Sequence, residues 1–328
     1  MSAVRWQRDQ AVAFVDPLAV DALGGHVLVL EGITADDDHD LDWCAQAPCV
    51  VVGCTPSGEP PSDAVDVALV GDQIDRDLDA LVARIGEQPR AACVLVDVLR
   101  AMPALDVPAG LVLESLAYSM LLAGPDFATW LAARPEGAKR RFEGPAVRAE
   151  REGAELRLTL ARPENRNAFS AAMRDALYEA LTLAVVDDSV EQVVLAGEGP
   201  VFSSGGDLTE FGTAEDVVRA HAVRTRRSVG RLVAALSSKV TAHVHGACVG
   251  AGVELSAFAG RVVADPGATF RLPEVAMGLI PGAGGTVSVT RRIGRQQAAR
   301  LALLGEPIDA EEALALGLVD ELAPVPNP

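Results

Sequence analysis

One stretch, residues 246–286, constrains the fold more than any other part of this chain, because it joins an apolar run to a glycine turn and a helix. The run Val240–Val244 is typical of a buried strand, and the turn after it contains Gly246, Gly250 and Gly252. An apolar, helix-like segment follows directly. Small residues at a helix start leave its unpaired N–H groups accessible, and the helix dipole adds positive potential there. The pattern therefore favours a bound anion or a developing oxyanion at this turn.

Two acidic residues belong to the same stretch. Glu254 falls in the first turn of the predicted helix, and Glu274 follows twenty positions later, after a strand-like segment and a turn. Two carboxylates beside an anion-stabilising turn suit proton transfer next to a carbonyl group. A purely structural interpretation stays open at this point, because glycines at such junctions often serve packing and glutamates at such positions are often solvated.

Length and charge limit the class of protein. A chain of 328 residues predicts two domains or one enlarged domain, and 49% apolar residues suffice for a sizeable core. The formal net charge of −18 argues against a nucleic acid or an anionic membrane as partner, because both require a basic surface. No apolar run has the length of a membrane span, and the first ten residues lack the plan of a signal peptide. A cytoplasmic protein is therefore expected.

The five cysteines predict buried free thiols. Their odd number argues against a disulfide framework. Cys44, Cys49 and Cys54 recur every five residues, but zinc ligands usually come as two close pairs, which Cys93 and Cys248 do not complete. No metal site is predicted.

Three regions differ in pattern, and they predict domains at residues 1–73, 74–140 and 141–328. The first is expected to be a small α/β unit and the second is helical. In the second, the segment LVLESLAYSMLLAG is apolar nearly all round, which indicates burial against this chain or a neighbouring subunit. The strand-like segments of the first region are Val12–Val15, His26–Leu30, Pro48–Val52 and Val65–Val70.

The third region alternates strand and helix, which predicts parallel sheets. Ser170 is the predicted N-cap of one helix, and the last helix is expected to run from Asp309 as N-cap to Gly317 as its stop. A single long helix with several arginines is predicted for residues 214–236.

Four motifs follow one another in this region. They are RPENRNAFS (162–170), FSSGGDL (202–208), GACVGAGVEL (246–255) and FRLPEVAMGLIPGAGGT (270–286). Each is weak alone, but their order and separations across about residues 150–325 resemble the crotonase (enoyl-CoA hydratase/isomerase) superfamily. The resemblance implies an α/β fold whose crotonase-like core consists of repeated ββα units. It also implies a substrate that is an acyl-CoA thioester.

The resemblance assigns roles to single residues. It implies an oxyanion hole formed by the backbone N–H groups of Gly206 and Ala251, where alanine departs mildly from the glycine frequent in the family. Glu254 and Glu274 match the paired catalytic glutamates of hydratases. CoA is then part of the substrate, no separate cofactor is implied, and the family habit predicts a homotrimer or hexamer. The residues that are expected to contact CoA are Arg166, Ala168, Ser204 and Asp207.

The chain departs from the family pattern in two ways. Family members continue with a helical module beyond the position that matches LVDEL (318–322), and here residues 78–134 resemble that module, displaced to the N-terminal side. Residues 48–70 weakly echo residues 239–264. We interpret the N-terminal α/β and helical region as a degenerate crotonase copy fused ahead of an intact core. An unrelated N-terminal domain is the alternative.

The predicted activity is the addition of water across the 2,3 double bond of a 2-enoyl-CoA. Two alternatives remain. One is an isomerase or another crotonase reaction that uses one glutamate, and the other is a non-catalytic acyl-CoA-binding or assembly protein. The arginines between Arg219 and Arg231 are expected on a solvated helix face, with the phosphates of CoA as their alternative contact.

Overall fold

The structure is a computed structural model that describes residues 3–8, 27–55, 59, 62–71, 74–134 and 142–325. The predicted strand Val12–Val15 lies outside these residues. Within them, one hydrophobic cluster extends from the N-terminal sheet into the C-terminal region. The domain boundaries drawn from the sequence stay a prediction.

The described residues of the N-terminal part contain four strands: β1 (Ala3–Gln7), β2 (Val27–Glu31), β3 (Val51–Thr55) and β4 (Val67–Val70). They form a fully parallel sheet in the order β1-β2-β3-β4. Side chains of β2 alternate between two clusters: Leu28 and Leu30 lie with Trp43, and Val27 and Val29 lie with the helices that follow. Parallel strands that are covered on both faces require such continuous apolar runs.

Four helices follow this sheet: α1 (Ile74–Glu87), α2 (Pro89–Ala101), α3 (Val107–Leu122) and α4 (Pro125–Ala132). Helix α3 begins after Asp106, whose carboxylate accepts the N–H of Ala109 at 2.8 Å. One face of α3 is buried, and the other exposes Val112, Leu116 and Met120. Among the described residues, no single helix combines the length and apolarity of a bilayer span. The pair α3 and α4 meets both criteria only together, and it bends by 61°.

The C-terminal part is built on a six-stranded sheet. Its strands are β5 (Val147–Glu152), β6 (Glu155–Leu160), β7 (Gln192–Gly197), β8 (Val240–Val244), β10 (Arg261–Ala264) and β13 (Glu321–Leu322). The order is β13-β10-β8-β7-β6-β5, and every neighbouring pair is parallel except the hairpin β5/β6. A second sheet of three short strands contains β9 (Ala247–Val249), β11 (Thr269–Arg271) and β12 (Ile308–Asp309).

Six helices surround these sheets: α5 (Ala171–Val186), α6 (Val217–Arg226), α7 (Val229–Ala235), α8 (Ala251–Ser256), α9 (Gly285–Leu304) and α10 (Ala310–Leu316). Ser170 caps α5 by accepting the N–H of Met173 at 3.2 Å, as predicted. Asp309 caps α10 in the predicted way, and Gly317 ends it with a φ of 82°.

The single helix predicted for residues 214–236 is wrong. The structure contains two helices there, α6 and α7, which are separated at Arg227 and Ser228. The Ser228 hydroxyl accepts the N–H of Arg231 at 3.2 Å and so begins a new helix. A serine inside an otherwise helical pattern was the signal for this break.

Helix α9, which is kinked at Gly294 (φ 77°, ψ 160°), joins the two parts of the chain. It packs against α1, α2, α3 and β4 on one side and against α8 on the other. Gln296 donates to the carbonyl oxygen of Ser62 at 2.9 Å, and Arg295 lies 3.5 Å from the buried carboxylate of Asp66. Asp66 also binds Arg100 of α2 at 2.6 Å. These contacts hold the second half of α9 against α2 and against the segment before β4.

Candidate active site

The turn between β9 and α8 has a shape that only glycine fits. Gly250 has a φ of 49° and a ψ of −119°, in a region that side chains other than hydrogen rarely adopt. A Cβ atom at this position would lie 2.4 Å from Oε1 of Glu274. Glycine therefore allows the Glu274 carboxyl group to approach the start of α8.

Backbone pairing brings two distant turns together. Phe169 pairs with Gly206, and Ser203 pairs with Cys248, each through an isolated parallel bridge. The N–H of Val249 donates to the carbonyl oxygen of Ser203 at 2.9 Å. As a result, the turn that contains Gly206 lies beside the turn that precedes α8.

These two turns open into one cavity of about 210 Å³. The N–H groups of Gly206 and Ala251 have no acceptor among the described residues. Both residues line the cavity together with Glu254 and Glu274. The structure thus brings together the four residues that the sequence predicts for the oxyanion hole and for catalysis.

Glu254 is held by the backbone at the start of α9. Its Oε2 atom accepts the N–H of Ala283 at 2.7 Å and the N–H of Gly285 at 2.8 Å. The side chain is 2% exposed, and burial raises its pKa to about 7, although the two backbone bonds act in the opposite direction. Glu254 can therefore gain or lose a proton near neutral pH.

Glu274 lies in a short 3₁₀ segment after β11, and its Oε2 atom is buried without a hydrogen-bond partner among the described residues. Burial raises the pKa of Glu274 well above its usual value, and the negative charge of Glu254 raises it further. A backbone hydrogen bond to Glu274 lowers its pKa, but burial and the charge of Glu254 outweigh this effect, so the protonated form is favoured. The two glutamates therefore favour opposite protonation states.

A third buried carboxylate, Glu114 of α3, was not predicted from the sequence. Its Oε1 accepts the N–H of Gly284 at 2.8 Å, and its Oε2 accepts the N–H and the hydroxyl of Thr286 at 2.9 and 2.7 Å. Burial is the largest cause that raises the pKa of Glu114, to about 8, and the negative charge of Glu254 is the second. The available signal was a single acidic residue within a helix that is apolar nearly all round.

Arg224 of α6 also lines the cavity, in contrast to the solvated position that was expected for it. Its Nε donates to Oγ of Ser115 at 3.0 Å, and its guanidinium lies 4.9 Å from the ring centre of Tyr118. Arg219 and Arg226 of the same helix are exposed, as expected. The prediction was wrong for Arg224 because the packing of α3 against α6 leaves no trace in the local sequence.

The four residues predicted to contact CoA lie near one another but do not line the cavity. Ser204 donates its N–H to the carbonyl oxygen of Arg166 at 2.9 Å. The carboxylate of Asp207 accepts the N–H of Thr209 at 2.9 Å, and Ala168 is buried. Arg166 is exposed at a φ of 50°, so its side chain is accessible to a ligand outside the cavity.

All five cysteines are free thiols, and four of them are buried. In the part of the chain that the structure describes, no group of three or more His, Cys, Asp and Glu side chains has an arrangement that could hold a metal ion.

Comparisons with known proteins place the C-terminal part in one family. A profile of the enoyl-CoA hydratase/isomerase family matches residues 150–327. The chain is 38% identical to the 2,3-dehydroadipyl-CoA hydratase of Escherichia coli over 169 residues, which are 52% of this chain and 66% of that protein. It is 36% identical to the trans-2-decenoyl-[acyl-carrier-protein] isomerase of Streptococcus mutans over 166 residues, which are 49% of this chain and 63% of that protein. The match spans 66% and 63% of the length of these two relatives, and 64% and 60% of the length of two probable enoyl-CoA hydratases, from Rhodobacter capsulatus and Bacillus subtilis.

Solved structures agree with this assignment. An enoyl-CoA hydratase of Mycobacterium smegmatis has a TM-score of 0.51 at 33% identity and covers 55% of this chain and 70% of its own. A putative enoyl-CoA hydratase of Thermobifida fusca was solved in complex with CoA. It has a TM-score of 0.50 at 27% identity, and the match covers 54% of this chain and 72% of that protein. With its paired turns and its two buried glutamates, this chain belongs to the enoyl-CoA hydratase/isomerase family, within the crotonase superfamily.

Proposed function

We propose that this protein is an enzyme that adds water across the 2,3 double bond of 2-enoyl-CoA thioesters. One observation carries the proposal. Two buried glutamates, Glu254 and Glu274, line one cavity with the backbone amides of Gly206 and Ala251, for which the described part of the chain offers no acceptor. Hydration of an enoyl thioester needs a site for the carbonyl oxygen, a base and an acid, and this cavity offers each of them.

The amides act on the thioester carbonyl. The N–H groups of Gly206 and Ala251 donate to its oxygen and draw electron density away from C3, which makes that carbon electrophilic. Donors fixed by the fold need no reorganisation when negative charge develops, and the loss of one such donor typically lowers kcat by about 10²–10³.

The glutamates move the protons. Because Oε2 of Glu254 is held by two backbone N–H groups, Oε1 is left to bind water and to accept its proton. The hydroxide equivalent adds to C3, and protonated Glu274 gives its proton to C2, so that one water is added in total. Burial keeps Glu274 protonated, and the lower pKa of Glu254, about 7, allows it to serve as the base.

The CoA portion is proposed to lie outside the cavity, along the two loops that carry the predicted contact residues Arg166, Ala168, Ser204 and Asp207. Support comes from the exposure of Arg166 and from its left-handed backbone. The neighbouring Asn167 anchors this loop, since its side-chain amide donates to the carbonyl oxygens of Glu198 and Val201. CoA enters as part of the substrate, and the proposed chemistry uses no separate cofactor.

Assembly and location remain proposals as well. A homotrimer or hexamer is supported by the family relationship and by the exposed apolar side chains Val112, Leu116 and Met120 on α3. A cytoplasmic location is supported by the net charge of −18 and the absence of a disulfide among the five cysteines.

Double-bond isomerisation is a second candidate, because one relative at 36% identity is named an isomerase. That reaction needs one carboxylate to carry a proton between two carbons, and the second buried glutamate would then be unnecessary. A protein that only binds acyl-CoA has less support, since both free amides and both glutamates are present.

An assay with crotonyl-CoA and longer 2-enoyl-CoA thioesters tests these candidates. We expect loss of the conjugated enoyl absorbance and formation of the 3-hydroxyacyl product. The variants Glu254→Gln and Glu274→Gln are each expected to lower kcat by about 10²–10⁴ and to leave CoA-ester binding nearly unchanged. Glu150→Gln, on exposed strand β5, is the matched control. Full activity in both cavity variants, or product with only a migrated double bond, would contradict hydration.

A further inference from the structure

A polar cluster borders the cavity beside the two glutamates. Helix α3 supplies Ser115 and Tyr118, and helix α6 supplies Arg224, all of which line the cavity. Ser119 of α3 belongs to the cluster but does not line the cavity. The guanidinium of Arg224 donates to the hydroxyl oxygens of Ser115 and Ser119 and stacks over the ring of Tyr118. The wall that meets an entering acyl group is therefore polar at this place.

Two donors of this cluster have no acceptor among the described residues. They are Nη1 of Arg224 and the hydroxyl group of Tyr118, and both residues line the cavity. No described carboxylate lies within 4.0 Å of Arg224. By contrast, Arg174 and Arg227 of the same cavity each bind Asp175, at 3.0 and 2.8 Å. Arg224 thus brings to the cavity a positive charge that lacks a close carboxylate partner.

Glu114 does not supply that partner, although it lies next to Ser115 in the chain. Its two oxygens are occupied by three donors, the N–H groups of Gly284 and Thr286 and the hydroxyl of Thr286. The carboxylate is therefore directed at the start of α9 and away from hydrogen-bonding distance of Arg224.

The position of Tyr118 relates this cluster to the reacting atoms. Its ring packs on Gly282, where a Cβ atom would lie 2.4 Å from the ring. The next residue, Ala283, donates its N–H to Glu254. Tyr118 and Arg224 accordingly line the same cavity as the catalytic glutamates, whereas the residues that are proposed to contact CoA do not. The cluster therefore faces the acyl group.

A plain hydrocarbon chain would cover Nη1 of Arg224 and the hydroxyl group of Tyr118 and leave both donors without acceptors. Such a chain is therefore expected to bind poorly. A carboxylate at the far end of the acyl chain would accept from the guanidinium and from the phenol and would neutralise the charge of Arg224. We propose that the acyl group of the substrate ends in a carboxylate, so that the substrate is a CoA monothioester of a short unsaturated dicarboxylic acid. Arg224 and Tyr118 bind that carboxylate. This inference rests on the proposed function in one respect, that the cavity takes the acyl part of a CoA thioester.

The decisive experiment compares two ligands that differ only at the chain end, hexanoyl-CoA and 5-carboxypentanoyl-CoA. Binding to the full-length protein is measured by titration calorimetry, which does not require catalysis. We expect the carboxylated thioester to bind at least about 10²-fold more tightly. Equal binding, or tighter binding of hexanoyl-CoA, overturns the proposal.

Substitutions show which residues cause the preference for the carboxylated thioester. Arg224→Met is expected to abolish most of the ratio between the two affinities, Arg224→Lys to restore part of it, and Tyr118→Phe to lower it about tenfold. Arg226→Met, on the exposed side of the same helix, is the matched control and is expected to keep the wild-type ratio. If Arg224→Met weakens both thioesters by the same factor, the guanidinium holds the phosphates of CoA and the proposal is wrong.

Hydration is scored separately with the corresponding 2-enoyl thioesters. A ratio of affinities that depends on Arg224, without any hydration, supports the carboxylate site and contradicts the hydratase function. Hydration of hex-2-enoyl-CoA as fast as that of its carboxylated counterpart, with no difference in binding, supports the hydratase function and contradicts the carboxylate site.

Discussion

Glu114 and Glu254 accept alternate backbone N–H groups at the start of helix α9. Ala283 and Gly285 donate to Glu254, and Gly284 and Thr286 donate to Glu114. Four successive amides of one helix start are thus divided between two carboxylates from distant parts of the chain. Glu114 lies outside the segment that matches the family profile, so this arrangement depends on the N-terminal helices.

The variant Glu114→Gln tests whether this third carboxylate affects the proton donor. The charge of Glu114 is among the causes that raise the pKa of Glu274, so its removal is expected to lower that pKa. Glu274 must be protonated to act, and the alkaline limb of the kcat profile should therefore move to lower pH, with kcat at the optimum reduced about tenfold. Leu116→Gln, on the exposed face of the same helix, is the control. An unchanged alkaline limb would show that Glu114 serves only to hold the start of α9 and does not affect the pKa of Glu274.

The wild-type protein is expected to show a bell-shaped dependence of kcat/KM on pH. Activity rises through about pH 7 as Glu254 becomes a base, and it falls at higher pH as Glu274 loses its proton. Initial rates over a range of buffers measure both limbs. In Glu254→Gln the residual activity should lack the acidic limb, and its persistence there would assign that limb to another group.

Stability should fall as pH rises across the same range. The pKa of Glu254 is raised from 4.5 to about 7 on folding, so the folded chain binds more protons than the unfolded chain between these values. The free energy of unfolding is then highest below pH 4.5 and decreases up to about pH 7, by about 3 kcal/mol for this group. Denaturant titrations of the wild type and of Glu254→Gln measure the slope. A wild-type slope that survives in the variant would contradict this assignment.

Gly250→Ala is expected to damage the site more than the fold. The added methyl group would meet Oε1 of Glu274 and displace a catalytic group, which should lower kcat at least about tenfold. The sparsely allowed backbone conformation of Gly250 adds a cost of about 1–3 kcal/mol in unfolding free energy. Gly153→Ala shares a positive φ but has open space around its Cβ position, so it provides a control for strain alone. Equal activity of Gly250→Ala and Gly153→Ala would contradict the prediction.

The sequence predicted those parts of the site that lie within continuous motifs. Strands β10 and β11 lie between Glu254 and Glu274 in the chain, and the turns with Gly206 and Ala251 each follow a strand. Chain order therefore indicated that these residues lie close together. Their roles in catalysis and the contacts to CoA stay predictions. The fold class and the family are confirmed by the comparisons.

Glu114, Tyr118 and Arg224 could not be assigned in the same way. Their positions depend on how α3 packs against α6 and α9, and these contacts join residues more than a hundred positions apart. A solvated arginine face was the reasonable expectation for α6, because nothing within the helix distinguishes Arg224 from Arg219 or Arg226. The degenerate origin of the N-terminal region stays a hypothesis, consistent with its parallel strand order.

The bond between Glu114 and Thr286 joins positions 172 residues apart. Contacts that close such long loops form late, because the entropy of the intervening chain must be lost before they can form. During synthesis, α3 leaves the ribosome long before α9 exists, with its apolar surface uncovered. A chaperone that shields this helix until the last third of the chain emerges should therefore raise the yield of native protein.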